Sequence, residues 1–233
     1  MSLRNRSAFR LLLGVLALGV GLNAATAIAS EVIVLRSGNA AVGLPDPSIT
    51  MLAGSGGAPL SAAPFTSADF DAACSTTSAI VVQPHPLWLQ ALNCDPLAKW
   101  IGIDPVGTPA SALYCYPFNV ETCCISRATL SFCWVSDDNI GDTLAGGPNP
   151  AGVYLNGVAV SPSIFGGNYA TETQAPLTDI TDLLLCGSNR LEVYNRDIGY
   201  AVSGVMFSAT IEIEGCPSPN ESSTWSTIKS LYR

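Results

Sequence analysis

The sequence predicts an all-β protein: a disulfide-bearing β-sandwich, led by an export signal and trailed by a short C-terminal tail. Three observations predict it. Charged residues are only 12% of the chain, while glycine and proline number 21 and 16, which suits short strands and turns better than long helices. Several segments alternate apolar and polar residues with a period of two, the mark of a strand with one buried face. Finally, an even number of cysteines, eight, follows a secretory leader, and in an exported chain that reads as up to four disulfides.

The leader comes first. Arg4, Arg6 and Arg10 form a basic start, Leu11 to Leu22 an apolar run, and Ala27-Ile28-Ala29 a small-residue cleavage site, so residues 1–29 are expected to be removed. At ~1.5 Å per residue that run reaches about 18 Å, short of the ~30 Å of a bilayer core, and no later stretch is expected to span a membrane. The remainder, residues 30–233, holds seven basic and eighteen acidic side chains, a net charge of −11. Such a chain repels nucleic acid and anionic lipid, which require clustered Lys and Arg.

Strands are expected at Val32–Arg36, Ile49–Leu52, Ala79–Val82, Lys99–Ile101, Ala112–Phe118, Arg127–Val135, Gly152–Leu155, Val158–Val160, Arg190–Asn195 and Gly204–Glu214. The last is the clearest: Val205, Phe207, Ala209, Ile211 and Ile213 alternate with Met206, Ser208, Thr210 and Glu212. Ala128, Leu130, Phe132 and Trp134 repeat the pattern, as do Tyr114, Tyr116 and Phe118. Asn156-Gly157 supplies the two positive-φ residues of a type I′ hairpin turn. The sandwich is expected over residues 30–216, a Pro/Ser-rich spacer over 217–224, and an amphipathic tail over 225–233, where Trp225, Ile228 and Leu231 recur at helical spacing.

From Val153 to Asp197 the chain resembles the galactose-binding-like jelly roll, the sugar-binding domain of β-galactosidase-type glycoside hydrolases. The residues carrying the resemblance are Tyr154-Leu155-Asn156-Gly157, Gly166-Gly167-Asn168-Tyr169, Asp179-Ile180-Thr181-Asp182-Leu183-Leu184 and Gly187-Ser188-Asn189-Arg190-Leu191-Glu192-Val193. With Tyr114–Phe118 and Ala128–Ser131 upstream, it extends over roughly residues 100–214. It implies a jelly-roll β-sandwich, and a domain that in those hydrolases does not carry catalysis. Residue chemistry gives the same segments fold roles: Thr181 to cap a short helical turn, Gly187 to end it, and Leu183 and Leu184 to plug the sandwich.

Candidate sites are few. Asp137, Asp138, Asn139 and Asp142 gather hard oxygens in one loop and are the candidate site for a structural Ca²⁺; a solvated turn with Asx hydrogen bonds is the alternative. The aromatic residues Trp88, Tyr154, Tyr169, Tyr194 and Tyr200 are candidate ligand platforms, with Tyr154 and Tyr194 expected on the wetter strand faces. Cys74, Cys94, Cys115, Cys123, Cys124, Cys133, Cys186 and Cys216 are assigned to disulfides. The neighbours Cys123 and Cys124 are expected to take different partners, and Cys115 to meet Cys133 if the strands around them pair. No zinc-type Cys-x-x-Cys occurs, and no required cofactor is expected. The lone histidine, His85, lies between prolines, and no Gly-x-Ser-x-Gly elbow is present. A carboxylate pair such as Asp137 with Asp138 or Asp182 leaves no motif. The expectation is therefore an exported, non-enzymatic binding module, secreted, periplasmic or at the cell surface, with a carbohydrate or a surface protein as partner. An assembly subunit docking through its tail is the alternative, and a glycan-processing enzyme the least supported reading.

Overall fold

The computed structural model describes residues 30–217. The expected signal peptide, all but the first residue of the 217–224 spacer, and the 225–233 tail lie outside them.

In chain order the elements are β1 (Ser30–Arg36), β2 (Pro45–Ala53), α1 (Ser67–Ala73), β3 (Thr77–Val81), β4 (Ile101–Gly102), β5 (Ala112–Val120), β6 (Ile125–Asp137), β7 (Asn139–Ile140), β8 (Val153–Leu155), β9 (Val158–Ala159), β10 (Thr173–Gln174), β11 (Thr178–Asp179), a 3₁₀ turn (Thr181–Leu183), β12 (Gly187–Arg196) and β13 (Gly204–Gly215). The strands form one open 13-stranded sheet in the order β10-β6-β13-β4-β3-β2-β5-β12-β8-β9, with β1 added beside β13, β11 beside β6 and β7 beside β12. Every pairing is antiparallel.

This corrects the jelly-roll sandwich. A two-sheet sandwich has a break in hydrogen bonding between its layers, and here β3 and β4 close that break. Ile101 pairs with Val205 of β13 on one side and Val81 of β3 on the other, and β3 continues to β2. The bridging strands lie before or at the edge of the region that resembled the jelly roll. The motifs behind that resemblance each specify a turn, and turns do not fix which strands become neighbours. Asn156 and Gly157 do adopt φ of 53° and 77° between β8 and β9. Thr181, expected to cap, instead lies within the 3₁₀ turn, where its hydroxyl accepts the Ala128 amide at 2.8 Å. Leu184 is buried in the main core and Leu183 packs against it.

Alternation divides the sheet's two faces. On one, Ala128, Leu130, Phe132 and Trp134 of β6, Phe207, Ala209, Ile211 and Ile213 of β13, Tyr114 of β5 and Leu191 and Val193 of β12 join a single apolar cluster. Burying each large side chain stabilises the fold by about 1.5–3 kcal/mol. The intervening residues point the other way into two smaller clusters. Cys133, Val135 and Met206 lie under Trp88, Leu92 and Trp100, whereas Leu113, Cys115, Tyr154 and Tyr194 lie under Phe70 and Ala73 of α1.

All eight cysteines are joined: Cys74–Cys115, Cys94–Cys133, Cys123–Cys186 and Cys124–Cys216. The expected Cys115–Cys133 pairing is corrected, because β5 pairs with β2 and β12 while β6 pairs with β13. Sequence separations run from 39 to 92 residues. Loop-closure entropy makes each bridge of that span worth about 4 kcal/mol. Four disulfides fit an oxidising location outside the cytosol. Among the described residues, no helix is long and apolar enough to cross a membrane.

Candidate functional surface

The polar residues singled out from the sequence are distributed among separate structural contacts. Asp137 Oδ2 accepts the Trp88 indole N–H at 2.7 Å. Asp138 Oδ2 accepts the backbone amides of Ile198 and Gly199 at 2.6 and 2.7 Å. The Asn139 amide, in the orientation its neighbours require, donates to the carbonyls of Asp138 and Gly167 at 3.1 and 3.2 Å. Asp142 lies elsewhere, accepting the Tyr194 hydroxyl at 3.1 Å and the Asn149 amide at 3.0 Å, with Arg196 Nε 3.1 Å away. Among the described residues, one group of three Cys, His, Asp or Glu side chains lies within reach of a single ion: Cys94, Cys133 and Glu172. Those two cysteines are already bonded to each other, which removes them as metal ligands.

Three of the five aromatic candidates are buried, which corrects the exposure expected of Tyr154 and Tyr194. Tyr154 and Tyr194 are buried, since α1 and the loop before it cover the face expected to be wet. Phe65 packs edge-on against Tyr194 and Tyr154 at 5.0 and 6.1 Å. Trp88 is buried too, stacked on Trp100 at 4.1 Å. Tyr169 and Tyr200 remain exposed. Tyr200, 69% accessible, places its ring against Gly57, where a Cβ would fall inside it.

Burial raises two carboxylates. Asp137 is pushed up to about 7, chiefly by desolvation, with Asp138 and Asp197 adding repulsion against the Trp88 hydrogen bond. Glu192, fully buried, is likewise pushed up to about 7 by desolvation, against the pull of the Gly157 amide and Arg190. Arg190 Nε lies 2.8 Å from Glu192 Oε1, off hydrogen-bonding geometry, so this contact is ionic. Raised carboxylates mark catalytic acids when they face a cleft. Surface hollows of about 140 to 700 Å³ among the described residues are lined by other residues. The largest runs along Arg127, Val158 and Asp179–Leu183 and includes Asp182. There Thr181 holds the Asp179 carboxyl below its ordinary value.

The outer face of β1, β13 and β6 is open in part: Val32, Val34, Arg127, Ser131, Glu212 and Glu214 are exposed, while Thr129, Cys133 and Ser208 are buried. Register builds it row by row: Arg36–Ser208–Cys133–Gln174, then Val34–Thr210–Ser131, then Val32–Glu212–Thr129–Asp179, then Ser30–Glu214–Arg127. Hydroxyls and small side chains dominate the middle, and carboxylates gather at one end. Hollows of about 140 and 250 Å³ occupy the two ends of this face. At its upper corner Asp95 Oδ2 accepts from Arg36 Nε at 2.8 Å and Ser208 Oγ at 2.9 Å. Burial opposes ionisation there, but Ser208, Arg36 and the Leu97 amide hold the carboxyl low.

Along this face's margin runs β1, which pairs with β13 on one side and, among the described residues, with no strand on the other. Glu31, Ile33 and Leu35 point inward, and Glu31 accepts the amides of Glu121 and Thr122 at 3.0–3.2 Å. Val32 and Val34 point outward, 62% and 47% exposed. Sequence reading missed this surface. The unbroken apolar run Val32–Leu35 reads as a strand buried on both faces, so only pairing exposes it as a margin.

No protein-family model matches the chain, and no curated protein matches it significantly.

Proposed function

We propose that this chain is an exported, non-catalytic assembly protein of the cell exterior that docks through its β1 margin and the adjoining β1–β13–β6 face. The observation carrying this reading is β1 itself: among the described residues a seven-residue edge strand with two exposed valines and no lysine, proline or bulge. Its two charged residues are engaged elsewhere, Glu31 with the Glu121 and Thr122 amides and Arg36 with Asp95. Exposed edges of that kind recruit another strand, and proteins that stay alone blunt them. A non-catalytic role is favoured because the two carboxylates with raised titration, Asp137 and Glu192, are held against Trp88 and Arg190 and away from the hollows described above. The acidity of the chain, with its 18 carboxylates, disfavours nucleic acid as the partner.

The test is site-specific photo-crosslinking in the producing cells. A photoreactive residue at Thr210, on the open face, is expected to capture protein in the exterior fraction, while one at Ala72, on α1, captures far less. Equal capture at both positions, or none at Thr210, would overturn the reading.

A further inference from the structure

We infer that the partner at the β1 margin is a second copy of this chain, joined by antiparallel β1–β1 pairing about a two-fold axis through Ile33; the inference rests on the assembly reading above. The argument is one of self-complementarity. A two-fold axis perpendicular to a sheet brings the same strand edge to itself with inner faces continuous, so residue i must face a residue of like parity. Centred on Ile33, the pairing sets Val32 against Val34 of the other copy and Val34 against Val32, so both exposed valines lose water together. Glu31 meets Leu35, and Ser30 meets Arg36.

No side chain of β1 then faces a like charge, and the α-amino group that leader removal leaves on Ser30 meets an Arg36 whose charge is already balanced by Asp95. Arg36 stays beside Asp95, and the Glu31 carboxylate stays on the Glu121 and Thr122 amides, so neither must be stripped of its partner. Glu212 and Glu214 sit on β13, one strand back, and their counterparts in the other copy lie three strand spacings away, about 14 Å. That exceeds the screening length of about 8 Å at physiological salt. The paired strands continue the β13–β6 ladder across the axis and give Val32 and Val34 backbone partners; the Arg36 carbonyl already accepts the Asn39 side-chain amide at 3.0 Å, so the ladder is centred on the valines. An interface of one seven-residue strand is small beside the ~1,600 Å² of a standard complex, so the dimer is a weak one that forms at high local concentration.

The test uses the purified exported chain in sedimentation velocity over a wide concentration range, beside Val34→Lys and a mixed-cysteine experiment. A monomer–dimer equilibrium is expected, and Val34→Lys should move its midpoint upward by about tenfold or more. Mixing Val32→Cys protein with Val34→Cys protein should give a disulfide dimer. Either variant alone should not, because identical positions then lie two residues out of register, beyond the ~7 Å a disulfide spans. A chain monomeric throughout, a dimer indifferent to Val34→Lys, or cross-linking that does not depend on mixing would overturn self-pairing. If the chain stays monomeric while Thr210 still captures a different protein in cells, self-pairing falls and the assembly reading stands. Absence of both removes the two together.

Discussion

The two halves of the sheet meet their surroundings in opposite ways. Along β5, β8 and β12 the outer face is roofed: α1 and the preceding loop lay Phe65, Phe70 and Ala73 over Leu113, Tyr154 and Tyr194. The roof is fastened by the Cys74–Cys115 bridge and the Asp71–Arg190–Glu192 chain of charges. Its loop is held by hydrogen bonds from Gly57 to Asp197 and from Leu60 to the Tyr194 hydroxyl. Much of the outer face of β1, β13 and β6 has no such roof, although its strands are as long and as regular. The difference lies in what side chains point outward. Beneath α1 they are Leu, Cys and Tyr, which need cover, whereas along Thr210–Glu214 of β13 and Arg127–Ser131 of β6 they are Ser, Thr, Glu and Arg, which do not; Met206, Cys133 and Val135, at the other end, lie under Trp88, Leu92 and Trp100. Val32 and Val34 are the exceptions that break the second pattern, and for that reason they carry the functional argument.

The contrast can be broken at its strongest fastening. Replacing Cys74 and Cys115 together by alanine should cost about 4 kcal/mol, read as a lower denaturant midpoint. Phe70→Ala, which opens a cavity beneath the roof, should cost about 3 kcal/mol by the same measurement.

Glu192 sharpens the comparison through pH. Its carboxyl ordinarily titrates near 4.5 and is raised by burial to about 7, so between those values the folded chain holds a proton the unfolded chain has released. The stability this contributes is complete below about pH 4.5 and is lost as pH rises through about 7. Asp137 acts with the same sign. Thermal melts from pH 5 to 8 should show the decline, and Glu192→Gln should remove a share on the order of 2 kcal/mol. Thr210→Ala, on the open face, should change stability by less than about 0.5 kcal/mol. A large loss there would mean that the face is covered.

Much of this was legible in the sequence because it rests on local rules. Every expected strand overlaps an observed one, and the Asn156-Gly157 turn formed as its backbone preferences required. Neighbourhood was not legible. The two residues of β4 are too few to leave a periodic trace, yet they join the groups of strands into one sheet. Tyr154 and Tyr194 looked wet because alternation reports which residues share a face, not whether something distant in sequence will cover it. α1, the cover, is a seven-residue segment too short to leave a clear helical period, and its capping signal is the Asp69 carboxylate accepting the Thr66 amide. Asp137 and Asp142 share a loop in sequence, yet one turns to Trp88 and the other to Tyr194 and Arg196.

The adjacent cysteines have a mechanical consequence. Cys123 and Cys124 bond to Cys186 and Cys216, so the entry to β12 and the exit from β13 are tied covalently to one point between β5 and β6. Tension on the polypeptide after residue 216 therefore passes through sulfur into residue 124, and β13 is not peeled from its neighbours one rung at a time. Unzipping would first require a reductant.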